Sequence, residues 1–244
     1  VYIRSRMGGV VTPVIVLAVV CAAVSFLVSS SAGMGGSLIL VPVMGLALGP
    51  REGVAAATLL LACNNVGKVV VYRAWIPWRA SAVVVALTAL GAAVGASLLL
   101  AAPEAWVSGA IVAALVASFV MERREWGRRT SSPLLAFAAG ATSGFSGTSG
   151  PLKGVALRNL GLERMRLVGA ASAVSLAGDL TKVGIFAGGA LLGREALWIV
   201  LCAAPLVPLA ALAGRRLNGA ISERTFAALF WAVMTGYSIR LLAL

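Results

Sequence analysis

Lysine occurs at only three positions in this chain, Lys68, Lys153 and Lys182, and every other cationic side chain is arginine. All three stand in or beside long apolar runs, and the single aspartate, Asp179, lies one helical turn before Lys182. A charge in mid-membrane costs about 3 kcal/mol on insertion scales, and such groups face a cavity or a partner. The chemistry open to these residues is the binding of an anion and the making and breaking of an internal ion pair. Two plainer roles compete with it. Lys68 and Lys182 lie near span ends and can snorkel, stem in lipid and ammonium at the headgroups. Asp179 and Lys182 can simply neutralise each other as an i,i+3 pair. Asn64, Asn65, Thr58, Ser172 and Ser175 add hydrogen-bonding groups to the same spans, where their plainer role is contact between helices.

Two runs rich in Gly, Ser and Pro interrupt the apolar sequence: SSAGMGGSLILVP from Ser30 to Pro42, and SGFSGTSGP from Ser143 to Pro151. Inside a helix Gly costs about 1 kcal/mol and Pro about 3 kcal/mol relative to Ala. In hydrocarbon a break survives only where it is buried in protein or lines a wet cavity. Small residues also allow helices to pack closely, but Ser and Thr in the same runs favour a binding site. The second half of a broken helix presents free N–H groups and about half a positive charge. Half-helices opening at Gly36–Leu38 and Gly150–Leu152 let an oxyanion approach the backbone. The candidate contacts are Gly33, Gly35, Gly36, Ser37, Ser146, Gly147, Thr148, Ser149, Gly150 and Lys153, joined from the spans by Asn64, Asn65, Lys68, Asp179 and Lys182.

Catalysis has little to work with. Gly144-Phe145-Ser146-Gly147 fits a G-x-S-G string, but a serine nucleophile needs a base and the chain has no histidine. A Ser–Lys pair through Lys153 or Lys182 is the remaining route, which leaves an intramembrane hydrolase as a minor alternative. Cys21, Cys63 and Cys202 sit in apolar stretches without CxxC spacing and read as buried small hydrophobes. Neither a metal nor a cofactor is expected.

The elements that must hold these residues are membrane helices. Apolar residues make up 60% of the chain, charged residues 11%, and mean hydropathy is +0.99, against about 45–50% apolar and 25% charged in soluble domains. With about 20 apolar residues per span, the chain is a single all-α polytopic membrane domain. The net charge of +12 punctuates apolar runs and does not cluster on a polar face, so nucleic acid is not an expected partner. Val10–Val28 is the first apolar run; Met7 is as plausible a start as Val1. A short segment, Ser37–Leu48, follows. Gly53–Tyr72, Ala80–Ala101 and Trp106–Met121 are span-length, and an Arg-rich connector ends the half. Then come a short pair around the second break, Leu167–Phe186, Ala196–Ala213 and Phe226–Leu244.

The order repeats, and so do residues. An offset of 114 pairs Ser29 with Ser143, Gly33 with Gly147, Gly36 with Gly150, Asn65 with Asp179 and Lys68 with Lys182. This predicts two homologous halves, 10–121 and 133–244, around a connector at 122–132, each half a broken-helix hairpin plus three transmembrane helices. Internal duplication with the site between the halves is the common plan of secondary transporters. Three crossings per half make the repeats inverted. Cytoplasmic loops collect Lys and Arg; a cytoplasmic connector gathers Arg73, Arg79, Arg123, Arg124, Arg128, Arg129, Arg158, Arg164, Arg166, Arg215, Arg216 and Arg224 on that side. Arg51, Arg194 and Arg240 remain outside, and only Arg4 and Arg6 disagree. Trp75, Trp78, Trp106 and Trp126 fall at segment ends, as interfacial anchors do.

The GMGGSLILVP run at Gly33–Pro42, its second copy at Ser143–Pro151 and the repeated polar spans resemble the sulfite exporter TauE/SafE family of membrane permeases over essentially the whole chain. The second copy departs from the family pattern, since Ser149 and Gly150 precede an early Pro151. The resemblance implies a permease in the cytoplasmic membrane that moves sulfur-containing anions such as sulfite, sulfoacetate or other organosulfonates. It leaves open a passive anion channel, a coupling proton or sodium ion, and a homodimer.

Overall fold

The computed structural model describes residues 11–32, 35–123, 133–158 and 160–216. These form ten α-helices and one short 3-10 turn, with no strand among the described residues. The first five helices are α1 (Val11–Ala32), α2 (Gly36–Leu48), α3 (Pro50–Tyr72), α4 (Trp78–Ala101) and α5 (Glu104–Arg123), with the 3-10 turn at Arg73–Trp75. The second five are α6 (Pro133–Ser146), α7 (Gly150–Arg158), α8 (Arg164–Gly188), α9 (Arg194–Ala203) and α10 (Leu206–Arg216). The expected connector beyond Arg123, the last span Phe226–Leu244 and the start of the chain lie outside the described residues.

The polarity of the packing is that of a membrane protein. Large apolar side chains face outward, with Leu90 60% and Leu209 65% exposed, while Lys68 and Lys182 are each 1% exposed. Lipid tails are as apolar as leucine, so an outer leucine loses nothing there. The same argument corrects the cysteines: Cys202 is exposed, Cys21 and Cys63 are half-buried, and all three are free thiols. Among the described residues three helices are long and apolar enough to cross a membrane: α3 with its 3-10 turn, α4 and α8. The run Ala196–Ala213, expected as one span, is two helices bent by 52° between Ala203 and Leu206. Pro205 lies at that break and Pro208 within the first turn of α10, and a proline both lacks an N–H and crowds the preceding turn. Trp75, Trp78 and Trp106 are exposed at helix ends; Trp126 lies outside the described residues.

Two features set the site. α4 packs along α6 at very close range, because Gly91 and Gly95 on one helix and Gly140 and Gly144 on the other each face the partner's backbone. A Cβ added at any of the four would collide with a carbonyl, of Phe137, Ala141, Thr88 and Ala92 respectively. Thr88 Oγ1 ties the crossing by donating to Ala136 O at 3.2 Å. Meanwhile α3 and α8 pack against each other and carry the buried polar residues. The helix ends respect the sequence offset: α1 and α6 end at Ala32 and Ser146, α2 and α7 begin at Gly36 and Gly150, and α3 and α8 begin at Pro50 and Arg164.

Candidate functional site

Both glycine-rich runs break the helix. Between α1 and α2, Gly35 has φ of 99°, and between α6 and α7, Gly147 has φ of 79°, backbone that glycine adopts without steric cost. Neither could be enlarged easily nearby: a Cβ on Gly36 would stand 2.8 Å from Ser29 Cβ and 3.0 Å from Ser25 O. Ser25 Oγ also donates to Gly36 O at 2.7 Å, fixing where α2 opens. At the other break Ser146 Oγ donates to Thr142 O at 2.8 Å and reaches Thr148 O at 3.2 Å. That serine therefore holds the end of α6, with its hydroxyl given to backbone carbonyls on both sides of the break. The two breaks meet where Ser37 Oγ and Thr148 Oγ1 share a hydrogen bond of 3.0 Å.

Below the breaks, α3 and α8 bring the ionisable residues together. Asn65 Nδ2 donates to Asp179 Oδ2 at 2.7 Å. The other carboxylate oxygen, Oδ1, pairs with Lys182 Nζ at 2.8 Å. Lys182 Nζ also donates to Ser143 Oγ at 3.0 Å, and Lys68 Nζ donates to Ser29 Oγ at 2.9 Å. Lys153, from α7, donates to Ser175 Oγ of α8 at 2.6 Å. Burial of Lys68 and Lys182 rules out snorkelling: their ammonium groups point inward to serines. Every lysine of the chain thus converges on this region, against one carboxylate.

The space between the breaks is small, partly open, and lined about equally by polar and apolar surface. Its volume is about 40 Å³, and on that measure one water needs about 10–15 Å³, so it takes a group the size of a few waters. Of the candidate residues, Gly35, Gly36, Ser37, Asn65, Gly147, Ser149, Lys153 and Asp179 line it. Lys68 and Lys182 stand behind its wall and reach it through Ser29 and Ser143, which do line it. Thr148 and Ser146 are buried in the break itself, and Gly150 opens α7. Asn64 is buried off the cavity wall, and neither of its side-chain polar atoms has a partner among the described residues. Gly33 lies outside the described residues.

Four further polar residues line the cavity without having been candidates: Ser29, Thr88, Ser143 and Ser175. Ser29 and Ser143 each precede the lysine they bond by 39 residues, a spacing visible once the duplication is recognised. Thr88 carries no signal, being one threonine in an apolar span. The described residues hold no group of three or more His, Cys, Asp or Glu placed to bind a metal ion.

The arrangement can desolvate a small anion among hydroxyls, helix N-termini and ammonium groups. A family model described as sulfite exporter TauE/SafE matches residues 17–241. No curated protein and no solved structure matches the chain.

Proposed function

The chain belongs to the sulfite exporter TauE/SafE family, and we propose that it is a secondary transporter carrying small sulfur-containing anions, such as sulfite, sulfoacetate or another organosulfonate, across the cytoplasmic membrane. The anion binds between the two helix breaks. One observation carries this reading. All three lysines of the chain gather with two broken helix ends around one cavity that, among the described residues, holds a single carboxylate, already paired. Three lysines stand against one carboxylate here, and a bound anion would be a counter-charge that keeps them protonated. The breaks add N–H donors, and Ser37, Ser149 and Ser175 add hydroxyls, which together suit an oxygen-rich head.

The halves act, on this reading, as inverted repeats around a fixed central site, with the connector on the cytoplasmic side. Asp179 offers the group at which a coupling proton or sodium ion would act, and a homodimer is compatible with the exposed apolar flanks. The test is flux into proteoliposomes of the purified protein, with labelled sulfite and sulfoacetate, with and without an imposed proton gradient. Saturable uptake that responds to the gradient is expected. Uptake linear in concentration and indifferent to the gradient identifies an anion channel instead, and no uptake of either anion rejects the assignment.

A further inference from the structure

The two halves differ in how well their buried polar groups are satisfied. Among the described residues six buried side-chain nitrogens and oxygens have no hydrogen-bond partner, and all lie in the first half: one each on Ser30, Arg51, Thr58 and Asn65, and both polar atoms of Asn64. The equivalent positions of the second half are satisfied or carry nothing to satisfy. Ser172 Oγ donates to Val168 O at 2.7 Å, both oxygens of Asp179 are engaged, and the positions matching Ser30 and Asn64 are glycines, Gly144 and Gly178. Asn64 is the extreme case. It is 0% exposed, and an amide buried without any bond is unfavourable and calls for a partner in some other arrangement. Its surroundings repeat those of the cavity. Gly178 lines the cavity, and a Cβ there would meet Thr88 and Ala92 of α4 at 3.6 and 3.8 Å. Thr88 and Ala92 correspond to Cys202 and Leu206, on either side of the α9–α10 bend. Both α9 and α10 pack on α3, and a Cβ on Gly67, one turn after Asn64, would meet Val207 Cγ1 of α10 at 2.8 Å. Asn64 thus stands toward the bend as Gly178 stands toward α4. Here, however, the space is closed: Leu60 and Asn64 are 1% and 0% exposed, while their counterparts Val174 and Gly178 line the cavity.

We infer that Asn64 is a wall residue of a second cavity, closed in this structure, between α3 and the α9–α10 bend, and that this cavity opens as the present one closes. This rests on the transporter reading above and adds to it a residue that meets the anion in the opposite state. Exchange of conformation between two related halves around a shared centre is a physical route to alternating access. The bend supplies the moving part, because Pro205 has no N–H for the carbonyl one turn back and leaves two short helices where the first half has the single helix α4. α3 and α8 run antiparallel, since Asn65 bonds Asp179 and Gly169 faces Trp75. Asn64 and Gly178 therefore fall on opposite sides of the Asn65–Asp179 contact, and the two cavities open toward opposite faces of the membrane.

The experiment uses Asn64→Leu in the full chain, and the single cysteines Asn64→Cys and Gly178→Cys in a protein whose Cys21, Cys63 and Cys202 are replaced by alanine. Leucine is close to asparagine in size and needs no partner. Asn64→Leu should therefore raise the melting temperature by about 2 °C or more. By holding the present state, it should also slow uptake of labelled sulfoacetate by proteoliposomes about tenfold or more. Higher stability with unchanged uptake overturns the inference. Where leucine does not fit and the protein is destabilised, the cysteines decide. Sulfonatoethyl methanethiosulfonate, an impermeant anionic thiol reagent, is added to either face of sealed, oriented vesicles. It should modify the cysteine at 178 from one face and the cysteine at 64 from the other. No modification at 64, or modification of both from one face, overturns the inference. Labelling needs no transported anion, so the two readings fail separately: if wild type takes up neither sulfite nor sulfoacetate while the cysteines react from opposite faces, the anion assignment falls and the exchange of cavities stands.

Discussion

Asn65 and Asp179 hydrogen-bond to each other across the α3–α8 contact at 2.7 Å, and they are separated by 114 residues. The same separation relates Ser29 to Ser143 and Lys68 to Lys182, and these form two equivalent bonds, Lys68 to Ser29 at 2.9 Å and Lys182 to Ser143 at 3.0 Å. A residue can touch its own counterpart only near the place where the two halves meet. On the proposed duplication, Asn65 and Asp179 mark that place, and the serine–lysine bonds flank it.

We propose from the arginine distribution that the connector at 122–132 is cytoplasmic and the halves inverted, and this can be tested directly. Cys202 is exposed and Cys21 and Cys63 are half-buried free thiols, so all three are first replaced by alanine. Single cysteines are then introduced at Thr130 in the connector and at Gly193 in the loop after α8, where an added Cβ has nothing within 4 Å. An impermeant maleimide applied to sealed, oriented vesicles should label one of them from each side. Labelling of both from one side rejects inverted halves.

Glycine at the first break is required by space and not by composition, and two neighbouring glycines separate the cases. A Cβ on Gly36 would press on Ser29 Cβ at 2.8 Å and on the Ser25 carbonyl at 3.0 Å. A Cβ on Gly178, which also lines the cavity, would meet only Thr88 Cγ2 at 3.6 Å and Ala92 Cβ at 3.8 Å. Gly36→Ala is expected to lower stability by about 1–3 kcal/mol, as overpacking does, and Gly36→Val to stop uptake in protein that still extracts as a single species. Gly178→Ala should leave thermal stability within about 0.5 kcal/mol of wild type. Equal tolerance at both positions would make the first break a packing feature.

The α4–α6 crossing makes a separate prediction about folding. Gly95 and Gly144 face the carbonyls of Ala141 and Ala92 on the opposite helix, and a carbonyl cannot rotate away as a side chain can. Gly95→Val or Gly144→Val should separate the helices and remove most folded protein from a detergent extract. Gly109 on α5 has nothing within 4 Å of an added Cβ, so Gly109→Val should extract at the wild-type level. Fluorescence-detected size exclusion on all three variants reads the difference.

How legible these features were depends on what the membrane makes visible in sequence. Helix content and the two breaks were readable because Gly, Ser and Pro stand out against apolar background, and both helices after the breaks open at Gly36 and Gly150. The convergence of the lysines was only suggested, since Lys68 and Lys182 near span ends look like snorkelling residues until their depth is known. The bend at Pro205 was hidden inside a run of even hydropathy. Thr88 was not legible at all: it lines the cavity because Gly91 and Gly95 let α6 come close to α4, and that is a property of two helices together. Ser175 was visible as a residue, but its place in the wall depends on the Asn65–Asp179 contact that sets the register of α3 against α8.

The remaining prediction separates structure from mechanism at Asp179 and Lys182. Their Nζ–Oδ1 distance is 2.8 Å, with the Asp179 side chain 8% and the Lys182 side chain 1% exposed, so they form a buried pair. In the first half the counterparts are Asn65 and Lys68, so one acid serves a region with three cations. A pair kept only for structure would more naturally be kept or lost in both halves, and its asymmetry points to a gating or coupling role. Removing one partner of a buried pair leaves an uncompensated charge and costs about 3–5 kcal/mol, while removing both can be nearly neutral. Asp179→Asn alone should therefore be destabilised, and its failure to transport would not distinguish the two roles. The informative protein is Asp179→Asn with Lys182→Gln. It is expected to recover thermal stability to near wild type and yet carry no anion, or carry it without response to a proton gradient. Recovery of stability together with gradient-dependent uptake would show the pair to be structural, and the coupling group would then have to be sought elsewhere.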